Sequence, residues 1–323
     1  MIDLSHGPFK CVGDWAGNDA TATDNYPAIA AAIASIPVSP VAGLNDYGGC
    51  QGDTLVFPAG SFMISQPLVL PPGVSLQGSG QYATTLVCPK AFSPTNHFID
   101  LGNATLKTAA FGGTIKDMCL WSHNDAPISG SAMVYTNNAQ DSGAIIDRVR
   151  IYGFNRRCFW GEIGYGGATY VGLHQVSGNT SVAGIPAFMF NYGESTMVHL
   201  DVLEPVGWRA SLDPTNPAYN QPVAGTIGVA LLGGFFHIEH FHPEQLDQAL
   251  FINMPTVECF ADINHMTGGP VTNQLVVIQN NAKQLGRIRL ANVVRNGVSG
   301  YTVFNGQPGG SSSYAEITDP IRF

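Results

Sequence analysis

Two histidine–carboxylate pairs stand out in the chain: His199-Leu-Asp201 and, further along, His237-Ile-Glu239. In each, the carboxylate follows the imidazole by two positions, so an extended backbone sends both side chains to one face. Hydrolysis of a glycosidic bond needs one carboxylic acid to protonate the leaving oxygen and a second carboxylate as base or nucleophile, on opposite sides of the bond. An adjacent imidazole and a partly apolar wall can move a carboxyl pKa toward the working pH, as a general acid requires. Asp201 and Glu239 are therefore the candidate acid and base, in either order, with His237 as a third catalytic candidate. Glu204, Asp213 and Asp262 stand in reserve. Taken singly, such residues are more often solvated or bonded to one another than catalytic. Their company with histidine is what marks these two.

Elimination is the competing chemistry. It needs a cation to neutralise a uronate and a base such as Lys, Arg, His or Tyr. Arg148, Arg150, Tyr170 and His174 supply those types. No acidic cluster suited to calcium lies near them, so elimination ranks second. The run at residues 235–244, FFHIEHFHPE, invites a metal reading. On a flat strand His237, Glu239 and His240 cannot all meet one ion, because successive side chains leave opposite faces; His237 with Glu239, or His240 with His242, can. With no HExxH motif, no metal ligands are assigned and no cofactor is expected. A GxSxG motif is also absent, which leaves esterase chemistry on a triad without support.

Strands must hold these residues. Short apolar units recur at Ile115, Ile146, Val171, Val198, Phe236, Ile263 and Ile288, and a near-constant step is the signature of a solenoid. Alternation sends one set of side chains inward and the other outward, and stacked rungs place outward residues about 4.8 Å apart in columns. With those seven as markers, the outward set is Arg148, Arg150 and Tyr152, then Tyr170 and His174, His199 and Asp201, His237 and Glu239, Asp262 and Asn264, and Arg287 and Arg289. The candidate substrate-binding residues are His199, Arg148, Arg150, Tyr170, His174, Trp208 and Glu204. Trp121, Tyr152, Trp160 and Tyr165 are further rings on which a sugar face can stack, although Trp121 and Trp160 also suit a core. The proline-rich stretch 204–225, with Trp208, Arg209 and Tyr219, reads equally as the wall of a groove or as a cover over apolar strand surface.

Residues 52–80, GDTLVFPAGSFMISQPLVLPPGVSLQGSG, show the strand pattern most plainly: short apolar runs separated by Pro-Ala-Gly, Pro-Pro-Gly and Gly-Ser-Gly. Residues 26–36 form the one convincing helix, with Ile29, Ile33 and Ile36 as its apolar stripe, Pro27 in its first turn and Asn25 or Asp24 as N-cap acceptor. The expected organisation is an N-terminal segment with a capping helix at 1–47, a strand solenoid at 48–304 and a loop with a last strand at 305–323, all in one structural domain.

Composition narrows the partners. Charged residues make up 11% of the chain, against about 25% in typical globular proteins, and neutral polar ladders suit stacked strands better than ladders of like charge. A formal net charge of −9 without a basic block argues against nucleic acid. No apolar run is long enough to span a membrane, and the N-terminus lacks the basic and apolar regions of a Sec signal. Six Cys are scattered without CxxC spacing, so no disulfide framework is expected, and Cys119, in an apolar run, reads as a buried thiol.

The order of acidic turn, Ala-rich helix, strand-PAG-strand and LPPGVSLQGSG resembles the start of a right-handed parallel β-helix in the pectate-lyase-like proteins, especially the tailspike depolymerases of bacteriophages. In that family a DxxxTDN sequence leads into a short capping helix, as Asp19, Thr23, Asp24 and Asn25 lead into residues 27–36 here. The resemblance is specific over residues 9–80 and pattern-level beyond. It implies an all-β right-handed parallel β-helix, a homotrimer, a place in the virion tail reached by lysis, and cleavage of a bacterial capsular polysaccharide, exopolysaccharide or lipopolysaccharide O-chain. Hydrolysis, elimination on the same fold and non-catalytic glycan binding all remain open, as does a purely structural solenoid.

Overall fold

The computed structural model describes residues 1–37, 52–71, 73–101, 113–124, 126–138, 143–163, 169–192, 196–208, 214–217, 221–253, 260–268, 274–278, 287–295 and 314–317. The chain is a parallel β-helix. It falls into two compact units, Met1–Gly172 and Leu173–Phe323.

In the first unit, strands Ile2–Asp3, Thr54–Val56, Ser75–Gln77, Gly113–Ser122 and Gly143–Phe154 follow one another across one sheet. Leu68–Val69, Ile99–Asp100, Ile128–Asn138 and Arg156–Ile163 do so across another. Parallel register stacks like on like: Leu55, Leu76, Ile115 and Ile146 stand opposite one another, each 0% exposed. Burying one such side chain stabilises the fold by about 1.5–3 kcal/mol, so these ladders hold the coil together.

The N-terminal segment covers the first rung by pairing with it. Ile2–Asp3 adds to Thr54–Val56, while Asp14 and Asp24 bridge to Ser61 and Met63. Unpaired strand edges invite association with other chains, and this covering removes one. The helix runs over Tyr26–Ala34, ending earlier than the stripe suggests, with Ile29 and Ala32 buried. Asn25 does not cap it through its side chain. Instead Asn25 is buried, accepting the Val12 N–H and donating to the carbonyls of Val12, Thr23 and Met63. Asp24 takes the Tyr26 N–H and also both the N–H and hydroxyl of Ser65. Asp19 accepts from the Trp15 indole, meets the His123 ring and takes the Lys90 N–H, so the acidic turn ties the segment to later rungs.

Strict alternation breaks once in each long strand of the first sheet. Ile115 and Ile146 point inward, and so do Met118 and Val149, leaving two outward residues between. At that corner Asp117 and Arg148 adopt left-handed backbone, φ 57° and 49°. Gly78 lies against the first of these corners: a Cβ there would sit 2.3 Å from the Asp117 carbonyl oxygen. Gly78→Ala is expected to cost about 1–3 kcal/mol, read as a lower urea midpoint for the intact chain.

In the second unit, whose boundary falls inside the strand Thr169–Thr180, one sheet runs through Thr196–Val206, Phe235–Phe241, Phe260–Gly268, Arg287–Leu290 and Tyr314–Ile317. Pro186–Asn191, Ile227–Gly233, Gln248–Ile252 and Gln274–Ile278 form its other face, where Phe188, Val229, Leu250 and Val276 stack in the interior. Two registers differ from the sequence markers, both at Ile263, because Ala261 is the residue opposite Ile288 as well as Phe236. Phe236 stands opposite Ala261, and Ile238 opposite Ile263. A slip of two residues preserves the face each side chain takes, so the outward set survives it.

Four Cys, at 11, 88, 119 and 158, are free and buried. Burial pushes the Cys119 thiol up to about 11 and those of Cys11 and Cys88 to about 12, which leaves them protonated and inert at neutral pH. Cys50 and Cys259 lie outside the described residues. Among those described, no helix is long and apolar enough to cross a membrane.

Candidate functional site

The second unit builds a column of polar groups on its first sheet. His199, His237, Asp262 and Arg289 occupy one level on four successive strands. Two residues further on comes the corner. Leu200 faces Ile238 and Ile238 faces Ile263 before it, Val202 faces His240 and His240 faces His265 after it, so Asp201, Glu239 and Asn264 share the level between. Because Leu200, Ile238 and Ile263 and then Leu203, Phe241 and Met266 are buried, both residues at each corner face outward. Glu239 and His240 therefore share a face, contrary to the flat-strand expectation. Asp201 and Glu239 are 46% and 49% exposed, open to a ligand.

The two carboxylates are held in opposite directions along the column. Asp201 Oδ2 meets His174 Nδ1 at 2.8 Å, on the strand before, and its Oδ1 lies 3.3 Å from His199 Nε2. Glu239 Oε2 accepts from Asn264 Nδ2 at 2.7 Å, on the strand after, and lies 3.4 Å from His237 Nε2. The Asn264 hydrogen bond, supported by His237 and His265, holds the Glu239 carboxyl below its ordinary value of 4.5. Glu239 is thus an ionised group at neutral pH. Asp262, the reserve carboxylate, is taken up by Arg289, whose Nε donates to it at 2.6 Å while Nη2 donates to Asn264 Oδ1 at 2.6 Å.

Beside the column lies a pocket of about 340 Å³ lined by Met197, His199, Phe235, Phe236 and His237. Met197 and Phe235 are exposed apolar side chains facing each other in register. Apolar lining with a few convergent polar groups is the usual make-up of a small-ligand site. The imidazoles of His199 and His237, 5.2 Å apart, join pocket to column.

Other expected site residues fall elsewhere. In the first unit Arg148 is held by Asp117, through Nε at 2.6 Å and Nη2 at 3.1 Å, and by Asp147 at 2.6 Å. This is the clamp that lowers the Asp117 pKa. Arg150 donates to the Tyr82 hydroxyl at 2.9 Å and lies over the Tyr152 ring. Trp121 packs against Tyr152 and Phe154, and Trp160 against Tyr135 and His97, so both are half-buried members of ring clusters. Tyr170 is exposed in the first unit. Trp208 is exposed in the second, just past a strand that runs to Val206 and so includes Glu204. Tyr165, Arg209, Asp213 and Tyr219, and the Arg287 side chain, lie outside what is described. The sequence reading gave no role to Asn264 or Glu244, and it named Glu204 and His242 separately without bringing them together. The trio Glu204, His242 and Glu244 brings its donor atoms within 4.8 Å of one another, whereas His240 and His242 have ring centres 6.5 Å apart.

No protein-family model matches the chain. No curated protein matches it by sequence. Solved structures do match by fold. The ORF18 protein of Geobacillus virus E2 superposes with a TM-score of 0.53 at 12% identity, over 98% of this chain and 61% of that one. The pre-mature gene product 12 of bacteriophage phi29 gives 0.45 at 12% identity, over 96% of this chain and 48% of that one. The A-module of mannuronan C-5 epimerase AlgE4 from Azotobacter vinelandii gives 0.32 at 13% identity, over 98% and 100%. The fold is thus that of the viral protein, of which this chain spans 61%.

Proposed function

We propose that the chain binds and hydrolyses a bacterial surface polysaccharide, working as a tailspike-like depolymerase within a viral homotrimer. The observation that carries this reading is the level shared by Asp201 and Glu239 on adjacent strands, half exposed, beside a ligand-sized pocket. The viral protein of the same fold supports the setting. Arg148 is already saturated by carboxylates and Arg150 is braced by tyrosines, which favours hydrolysis over neutralisation of a uronate for elimination.

Roles follow from the environment of Glu239, which leaves Asp201 the complementary one. Glu239, kept ionised by Asn264, is the base that activates water, and Asp201 is the acid that protonates the leaving oxygen. The imidazoles of His174 and His199 hold Asp201 in place. Adjacent strands set a separation of about 4.8 Å, and the opposite lean of the two side chains widens it toward the ~6.5–9.5 Å of inverting enzymes. Met197, Phe235 and His237 seat the sugar, and Trp208 extends the grip. The anomer first released, read by proton NMR, is expected to be inverted.

The test is purified protein on a panel of capsular, exopolysaccharide and O-chain glycans, following reducing ends and the ultraviolet absorbance of unsaturated products together. Reducing ends without absorbance are the expected result; an absorbance gain means elimination. A second reading, glycan binding without cleavage, is favoured by the fact that both carboxylates are already hydrogen-bonded. Binding with neither signal selects it.

A pH profile probes the base. With Glu239 depressed, the acidic limb of kcat/KM is expected below the carboxyl's ordinary value of 4.5. Asn264→Ala removes the donor that favours the ionised form, so the pKa rises and the limb moves to higher pH. An unmoved limb would take the base role away from Glu239.

A further inference from the structure

Away from the catalytic column, the second unit gathers a separate set of ligand-type groups. Glu204, on the strand Thr196–Val206, and His242 and Glu244, just beyond the strand Phe235–Phe241, each offer a donor atom within 4.8 Å of the others. We propose that these three hold one divalent transition cation of the zinc or manganese class.

The backbone fixes the donors on neighbouring strands. The His242 N–H donates to the Leu203 carbonyl at 2.9 Å and the Glu244 N–H to that of Pro205 at 3.0 Å. The Gly207 N–H returns a bond to the Glu244 carbonyl at 2.7 Å, and Val206 and Glu244 form a parallel bridge. The chain then presses close: a Cβ on Gly207 would lie 1.9 Å from the Gln245 carbonyl oxygen, and Gln245 is forced to φ 53°. This is a fixed frame rather than a mobile loop.

Charge and donor chemistry point to the ion. Two carboxylates are held together at half-buried positions, and among the described residues no Lys or Arg pairs with either. A divalent cation matches their two charges, with a neutral imidazole as third donor. His242 Nε2 lies 3.0 Å from Glu244 Oε1, about the edge of a coordination polyhedron whose metal–ligand bonds are ~2.0–2.2 Å. One nitrogen with two oxygens suits zinc or manganese, whereas calcium and magnesium take oxygen alone. Three protein donors leave coordination positions open to water or a sugar hydroxyl. The cation ties two successive strands together whether or not the column cleaves glycan.

The test uses the full chain, freed of metal by chelator and titrated calorimetrically with ZnCl2, MnCl2, CaCl2 and MgCl2. One saturable site per chain for zinc or manganese is expected, with a rise in Tm. Glu204→Gln and Glu244→Gln, both of native shape, should each weaken binding more than about tenfold, while His265→Ala leaves it unchanged. Circular dichroism checks that each variant is folded, and either glutamine variant alone suffices. Absence of saturable binding, equal binding of calcium, or full affinity in a folded glutamine variant would overturn the assignment.

Discussion

Glu239→Gln is expected to slow reducing-end release by about 10²–10⁴-fold, the range in which a positioned acid or base acts, and Asp201→Asn to do the same. Both substitutions keep the side-chain volume. Both positions are about half exposed at an outward corner, so stability should change by less than about 0.5 kcal/mol. Glutamine can still accept the Asn264 amide hydrogen bond, but it cannot take a proton from water. Because the two groups serve one step, the double variant should lose little more than either single one. Full activity in folded Glu239→Gln would remove that carboxylate from the chemistry.

Phe236→Ala should lower stability by about 3–5 kcal/mol, as loss of a buried aromatic ring does. Its ring is 1% exposed and packs edge-on to Phe190, with centroids 5.8 Å apart. Its neighbour gives the control. Phe235 is 36% exposed and lines the pocket from outside, so Phe235→Ala should leave the urea midpoint nearly in place and weaken glycan binding instead. Equal destabilisation by both would contradict the facing of this strand. Loss of binding in Phe236→Ala without loss of stability would do so too.

The facing of Phe235 and Phe236 was legible because period-two alternation is a local property of an extended chain. The outward placement of Asp201, Glu239 and Asp262 followed from the same rule. The corners were harder to see: two adjacent outward residues, as at Glu239 and His240, look like a lapse in pattern until a bend is known to lie there. Register was harder still. Ile263 and Ala261 are both inward, so matching Phe236 to either satisfies the sequence, and only packing of the strands selects Ala261.

What the sequence by itself determined is the coil: short strands, tight Gly and Pro turns, an inward apolar set and an outward polar one. Each of these depends on residues one to four positions apart. Tertiary structure decided which outward residues meet. Arg148 looked available for substrate and is consumed by Asp117, a full turn away in the chain. Asn264 belongs to the outward set by alternation, and only the fold sets its amide on Glu239 and so keeps that carboxyl ionised. Glu204 stood as a reserve carboxylate and substrate-binding candidate at the start of a proline-rich stretch, and it joins His242 and Glu244. Such neighbours are separated by whole turns of unequal length. The turn lengths fix the register, and hydrogen bonds between strands, rather than any local spacing, bring the partners side by side.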